Sequence, residues 1–185
     1  MDAENFILEK EDCALLIVDI QERLAAVMKY REQVVKNNLR LIELAKLLNV
    51  PVLASEQYPK GLGHTVDEIK EALPSYNPVE KLAFGCCGEP AFMDVLRGLG
   101  KKKIILTGME THICVLQTAL GLVREGYAVH AVSDATCSRS KENWEVGLGI
   151  MRDAGAVITC TETVLFQLLK ASGTEEFKAV SRMIK

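Results

Sequence analysis

Cys114, Asp19 and Lys81 are the residues of this chain whose types and settings could do covalent chemistry. Cys114 lies in TGMETHICVLQTALGLV, where Leu106-Thr107-Gly108 ends an apolar run and helical periodicity begins, so its sulfur is expected in the first helical turn. Unsatisfied backbone N–H groups and the positive end of the helix dipole favour a thiolate there, and would pull its pKa below the roughly 8.5 of a free thiol. Asp19 closes the apolar run CALLIV, where an ionised carboxylate is costly unless it is paired. Lys81 stands between Val79-Glu80 and Leu82-Ala83-Phe84 in a stretch rich in glycine and proline. A thiolate is a nucleophile, a carboxylate beside it a proton acceptor, and an ammonium a stabiliser of both negative charges. Each residue also has an ordinary reading: a buried core cysteine, a turn or N-cap aspartate, a solvated surface lysine. Taken singly, none of the three is decisive.

The elements that must position them follow from the apolar pattern. CALLIV, residues 13–18, is a continuous apolar run, the signature of a strand buried on both faces. Helical spacing runs from Val34 to Leu48, through Leu41 and Leu44, and Val50-Pro51 stops it before VPVLA begins a second strand. The pattern then predicts a helix over Pro90 to Leu99, a strand over Lys103 to Thr107 and a helix over His112 to Arg124. A strand over Ala128 to Val132, a helix over Glu142 to Ala154, a strand over Ala156 to Thr159 and helical C-terminal segments complete it. Ile113, Leu116, Leu120 and Val123 form the stripe expected to hold the helix of Cys114 against the sheet. Such alternation implies a parallel sheet with helices on both faces. Between Ser55 and Gly88 the regularity breaks into loops around one short helix, Val66 to Ala72. Long loops after parallel strands usually carry the site.

Composition bounds the partners. The 185 residues fit one domain, 1–185, and carry 22 basic and 25 acidic side chains for a net charge of −3. With a pI near 5.7, and Lys101 to Lys103 as the longest basic run, neither nucleic acid nor an anionic membrane is expected as a partner. The apolar stretches are too short for the roughly 20 residues of a membrane span, and MDAENFILEKED is acidic where a signal peptide is basic. A cytoplasmic protein is expected, with its six cysteines mostly reduced, since no CxxC pair occurs among them.

VDIQERL with Asp19, EKLAF with Lys81 and GMETHICVLQTAL with Cys114 resemble, in order, spacing and context, the isochorismatase-like cysteine hydrolase superfamily. SEQYPKGLGHT and VSDATCSRS extend the resemblance over roughly Cys13 to Leu169, toward the branch called isochorismatase-domain-containing proteins. The resemblance implies an α/β fold: a three-layer α/β/α arrangement, Rossmann-like, with a six-stranded parallel sheet. It implies a triad of Asp19, Lys81 and Cys114 that cleaves a C–N bond of a small amide-like substrate through a thioester, without a cofactor. It further implies a cis peptide between Met109 and Glu110, an oxyanion hole from the backbone N–H groups of Glu110 and Cys114, and a homo-oligomer, dimeric or larger. The alternative is a non-catalytic binding or regulatory protein, oligomeric on the same scaffold.

Some positions depart from the relatives. The enzyme that gives the superfamily its name cleaves a vinyl ether and lacks the cysteine, so isochorismate is not the expected substrate. Nicotinamidase relatives bind a divalent metal with a carboxylate and two histidines; the matching positions here are Glu56, Tyr58 and His64, and a neutral phenol is a weak ligand, so no metal is expected. Gln21, Glu56, Tyr58, Phe84, Thr111 and His112 are expected around the substrate pocket, with Glu110 and Thr111 as candidate helix caps, Thr111 the more conventional of the two. His112, two residues from Cys114 in the first turn, points to another face and is not its base. Cys86-Cys87 read as incidental loop thiols, Cys137 and Cys160 as packing, and Ser138, Arg139 and Ser140 as structural bridges between loops or subunits. No GxGxxG follows the first strand, which runs into DIQERL, so a classical dinucleotide site is disfavoured.

Overall fold

A computed structural model describes residues 3–184; Met1, Asp2 and Lys185, the ends of the expected 1–185 domain, lie outside the described residues. Six strands form one parallel sheet: β1 (Cys13–Val18), β2 (Val52–Gln57), β3 (Val79–Lys81), β4 (Lys103–Met109), β5 (Ala128–Cys137) and β6 (Val157–Thr159). Their order across the sheet is β3-β2-β1-β4-β5-β6. The helices are α1 (Glu22–Ala25), α2 (Arg31–Leu48), α3 (Pro59–Leu62), α4 (Asp67–Ala72), α5 (Pro90–Gly98), α6 (Leu116–Arg124), α7 (Lys141–Asp153), α8 (Thr161–Leu169) and α9 (Glu175–Ile184).

The alternation of β1 sorts the layers. Leu15 and Ile17 point into one core with Val34, Leu41 and Leu44 of α2, Ile69 of α4, Val164 and Leu168 of α8, and Val180 of α9. Ala14, Leu16 and Val18 point into the other, with Phe92 and Leu96 of α5, Ala119 and Leu122 of α6, and Leu148 and Met151 of α7. Every residue of β1 is therefore buried, which explains why the strand reads as an unbroken apolar run. The α/β/α architecture with a six-stranded parallel sheet is the one the sequence leads to.

Several boundaries differ from the sequence reading. The stretch read as loops contains β3, three residues paired in register with Ser55, Glu56 and Gln57 of β2; an edge strand this short has no apolar run to announce it. Strand β5 continues five residues past Val132, and its pairing with β4 jumps from Leu106–Ala131 to Gly108–Thr136, a bulge that polar Ser133-Asp134 disguised as a turn. The helix of Cys114 begins as a π-helical turn, Thr111–Val115, before α6. The extra residue in that turn rotates the helix faces, so the buried side is Val115, Thr118, Ala119 and Leu122. The expected stripe of Ile113, Leu116, Leu120 and Val123 lies on the half-buried flank, with Leu120 exposed.

Strand order reverses between β1 and β4, because the chain leaves β1 toward β2 on one side and reaches β4 on the other. In open parallel sheets the crevice at such a switch point, outside the carboxyl ends of the strands, is where ligands bind. Gly108 makes the close approach possible. Its φ is +124°, and a Cβ there would stand 2.0 Å from the Val18 carbonyl oxygen, so only glycine lets β4 pass β1 at this point.

Candidate active site

The carboxyl ends of β1, β3 and β4 bring Asp19, Lys81 and Cys114 together. Asp19 follows β1 directly in a left-handed conformation, φ 52°, which an L residue holds only when its surroundings fix it. Its backbone N–H donates to the Ser55 carbonyl at 3.2 Å, and the Ser55 hydroxyl donates back to Asp19 Oδ1 at 2.7 Å. Lys81 Nζ donates to Asp19 Oδ2 at 2.6 Å, to Gln57 Oε1 at 2.7 Å and to the Phe84 carbonyl at 2.9 Å. The ammonium thus spends its three protons inside the protein, with the lysine side chain 1% and the aspartate 0% exposed. Gln57 is held in turn, its side-chain N–H donating to the Leu82 carbonyl at 2.9 Å. The Cys114 thiol completes the group as a hydrogen-bond partner of Asp19, buried in the π turn.

Electrostatics here differ from the local expectation for a cysteine at a helix start. Burial first, then the facing Asp19 carboxylate, push the Cys114 thiol well above the ordinary range and outweigh the pull of Lys81. The resting sulfur therefore carries its proton, where the sequence reading expected a thiolate. Burial also pushes the Asp19 carboxyl up, against Lys81, Ser55 and Cys114, which pull it down. A carboxylate raised by burial is a stronger base than one in water, and it faces the proton of the Cys114 thiol.

Around this centre the Met109–Glu110 peptide bond is cis. The Glu110 carbonyl accepts from the N–H groups of Ile113 at 3.1 Å and Val115 at 3.2 Å, which closes the π turn. Two side-chain contacts pin the turn to the loop after β5. Glu110 Oε2 accepts from Arg139 N at 3.0 Å and Nε at 3.1 Å, and His112 Nδ1 pairs with the Ser138 hydroxyl at 2.9 Å. Ser140 meanwhile caps α7 through Asn143 N. His112 is thus committed to the β5 loop. The N-cap position belongs to Glu110, without a side-chain cap, and the buried Thr111 hydroxyl has no partner among the described residues.

A model of the isochorismatase domain matches residues 13–163, most of the chain. The chain belongs to the isochorismatase domain family. A curated member, isochorismatase domain-containing protein 2A of Mus musculus, is 37% identical over 176 residues, covering 95% of this chain and 84% of that one. Among solved structures, the MAR1 ribonuclease of Caenorhabditis elegans superimposes with a TM-score of 0.89 at 37% identity, covering 96% of this chain and 92% of that one. YcaC of Pseudomonas aeruginosa, solved with covalent acrylamide, gives 0.90 at 26% identity over 96% and 91%. YcaC of Escherichia coli, described as an octameric hydrolase of unknown specificity, gives 0.89 at 25% over 96% and 90%.

Within this isochorismatase-domain fold, not every residue expected at the pocket faces it. Gln21 is buried and fully engaged: its Nε2 donates to the Gln57 carbonyl at 3.0 Å and the Gly63 carbonyl at 2.6 Å, and its Oε1 accepts from Gln57 N at 2.7 Å. Glu56 is equally spent. Its Oε1 accepts from Thr65 N, the Thr65 hydroxyl and the Tyr76 hydroxyl at 2.6–2.7 Å, while Oε2 pairs with His64 Nδ1 at 3.0 Å. Burial raises this carboxyl, but those donors together hold it below the usual carboxylate range. Gln21 and Glu56 therefore build the loops behind the site. Tyr58 and Phe84 are half exposed, and Tyr58 lines a cleft of about 410 Å³ with Lys60, Lys81 and Leu82. Among the described residues no group of three or more His, Cys, Asp or Glu side chains is arranged to hold a metal ion. A separate cleft of about 260 Å³ between Tyr30, Asp134 and Trp144 contains none of Asp19, Lys81 and Cys114.

Sequence reasoning missed Ser55, Gln57 and Cys86. The first two are polar residues two apart at the carboxyl end of a buried strand, so both side chains leave the same face, and that was the available signal. Cys86, read as an incidental loop thiol, is fully buried and donates to the Ser55 hydroxyl at 3.5 Å.

Proposed function

We propose that this chain is a cysteine hydrolase that cleaves a C–N bond of a small amide-like substrate, with Cys114 as nucleophile, Asp19 as base and then acid, and Lys81 as the charge that holds the pair. The observation that carries this reading is the buried Lys81–Asp19 contact of 2.6 Å, with the Cys114 thiol on the same carboxylate at the switch point of the sheet. Cys114 transfers its proton to Asp19 as the sulfur bonds to the carbonyl carbon, and the oxygen takes the negative charge. The N–H groups of Glu110 and Cys114 receive that oxygen. Collapse breaks the C–N bond, the amine leaves with the proton from Asp19, and a thioester remains. Water then adds while Asp19 takes its proton, and the acid leaves as the proton returns to sulfur. Because the resting thiol is protonated, proton transfer to Asp19 is part of the attack itself.

Lys81 has no proton free to anchor a phosphate, and the chain is net acidic, so RNA is not the substrate we infer. Tyr58 and Phe84 are proposed as the walls that touch substrate, with Thr111 and His112 behind them. We further propose that residues 1–185 act as one domain in a homo-oligomer, as YcaC of E. coli is described. The described residues contain no helix long and apolar enough to cross a membrane, and six free cysteines fit a reducing compartment such as the cytoplasm.

The test is a panel of small carboxamides, read by ammonia release, together with acrylamide labelling of each cysteine by mass spectrometry. Release from the wild type that disappears in folded Cys114→Ala, with labelling fastest at Cys114 and slowed about 100-fold in Asp19→Asn, is the expected result. No release, with Cys114 labelled no faster than half-buried Cys160, would overturn the assignment and favour a non-catalytic binding protein.

A further inference from the structure

Asp19 is served by a chain of groups that begins on α6. The Thr118 hydroxyl of α6 accepts from the backbone N–H of Cys86 at 3.0 Å, which fixes a fully buried thiol. That thiol donates to the Ser55 hydroxyl oxygen at 3.5 Å, and Ser55 donates to Asp19 Oδ1 at 2.7 Å. A hydroxyl has one proton. With Cys86 filling a lone pair of Ser55, the serine proton is directed to Asp19. The carboxylate thus meets Ser55 on Oδ1, Lys81 on Oδ2, and the Cys114 thiol as the group it must deprotonate.

We infer that Ser55 is a positioning residue for the base: it acts through Asp19, and Cys86 sets the direction of its hydroxyl. This rests on the proposed role of Asp19 and adds a residue to it. Two consequences distinguish it from a hydrogen bond that only stabilises the fold. Ser55 stabilises the ionised form of Asp19, so its removal makes the carboxylate harder to ionise. It also keeps Oδ1 in place while Oδ2 is drawn to Lys81, so the orientation of the carboxylate toward sulfur depends on it. The charged or titratable groups that face Asp19 are Lys81 from β3, Cys114 from the π turn and Cys86 from the turn Cys86–Gly88, and all three remain in the variant that tests the idea.

The experiment follows the rate of acrylamide labelling at Cys114 against pH in the wild type, Ser55→Ala, Ser55→Thr and Cys86→Ala, with circular dichroism to confirm folding. Wild-type labelling should fall on the acid side as Asp19 gains a proton. In Ser55→Ala that limb should move up by about one pH unit, so that labelling on the limb is about tenfold slower, while Ser55→Thr restores the wild-type limb. Cys86→Ala should move it in the same direction by less. A Ser55→Ala protein that melts earlier but keeps its limb in place shows a structural serine and overturns the inference while leaving Asp19 as base. A wild type without any acid limb at Cys114 overturns both.

Discussion

Replacing Lys81 by methionine removes the cation from a carboxylate that is 0% exposed, and the burial of the pair sets the size of the loss. Breaking a buried pair by deleting one partner costs about 3–5 kcal/mol, because the other charge is left uncompensated. Asp19 has an escape, which is to bind a proton. Its ordinary value is 3.8, about three units below neutrality, so protonating it at pH 7 costs about 4 kcal/mol, at about 1.4 per unit, and caps the electrostatic loss. A smaller part does not depend on pH, since Gln57 Oε1 and the Phe84 carbonyl also lose a donor. Without the ammonium the folded carboxyl lies further above its unfolded value. Its contribution to stability is then complete below the unfolded value and lost as pH rises through the folded one. Urea unfolding should therefore show Lys81→Met losing about 4 kcal/mol at pH 7 and about 3 kcal/mol less than that near pH 5, where protonation is cheaper. Asp19→Asn in the same background should recover most of the pH-dependent loss, so the double variant is more stable at neutrality than the single. A loss below about 1 kcal/mol at pH 7, or one that does not change between the two pH values, would refute the reasoning, because it would mean that the pair is not the buried, mutually dependent unit described.

Gly108→Ala should cost more than about 3 kcal/mol or prevent folding, since it combines an unfavourable φ with a Cβ placed 2.0 Å from the Val18 carbonyl; a melting temperature close to that of the wild type would contradict the close approach of β1 and β4. His130 on β5 is buried, its Nε2 has no partner among the described residues, and burial pushes its pKa down to about 4 from 6.5. Its neutral form is the one the fold favours, so stability is present above the unfolded value and lost as pH falls, by about 2 kcal/mol between pH 7 and pH 5. His130→Phe should flatten that part of the stability curve measured by urea unfolding, and an unchanged slope would exclude this histidine as its source.

What the sequence made legible, and what it hid, divides along one physical line. Local patterns carried the elements: the apolar run of β1, the helical spacing of α2 and the alternation of strand and helix each arise from residues close in the chain, and each appears where it was read. The Asp19, Lys81 and Cys114 motifs were visible too, but only as types and spacings, and nothing local could say that the three meet. The helix start around Cys114 favours a lowered thiol pKa, yet it is outweighed by burial and by Asp19, which lies 95 positions away in the chain and presses its charge on the sulfur. Glu56 drew attention by matching a metal-ligand position of the nicotinamidase relatives and Gln21 by its loop position, yet their hydrogen bonds go to Thr65, Tyr76, Gly63 and Gln57, partners that only the tertiary fold brings within reach. Ser55 was hidden for the opposite reason, since a lone serine ending an apolar strand resembles the beginning of a loop. The strand β3 that reveals its purpose is three residues long and too short to leave a pattern. Pairing with β3 sets Gln57 beside Lys81, and the alternation of β2 then places Ser55 on the same face, where it meets Asp19. A polar pair two residues apart at the carboxyl end of a buried parallel strand is therefore a reason to look for an ionised partner on the neighbouring strand ends, because such groups stay buried only where they are hydrogen-bonded.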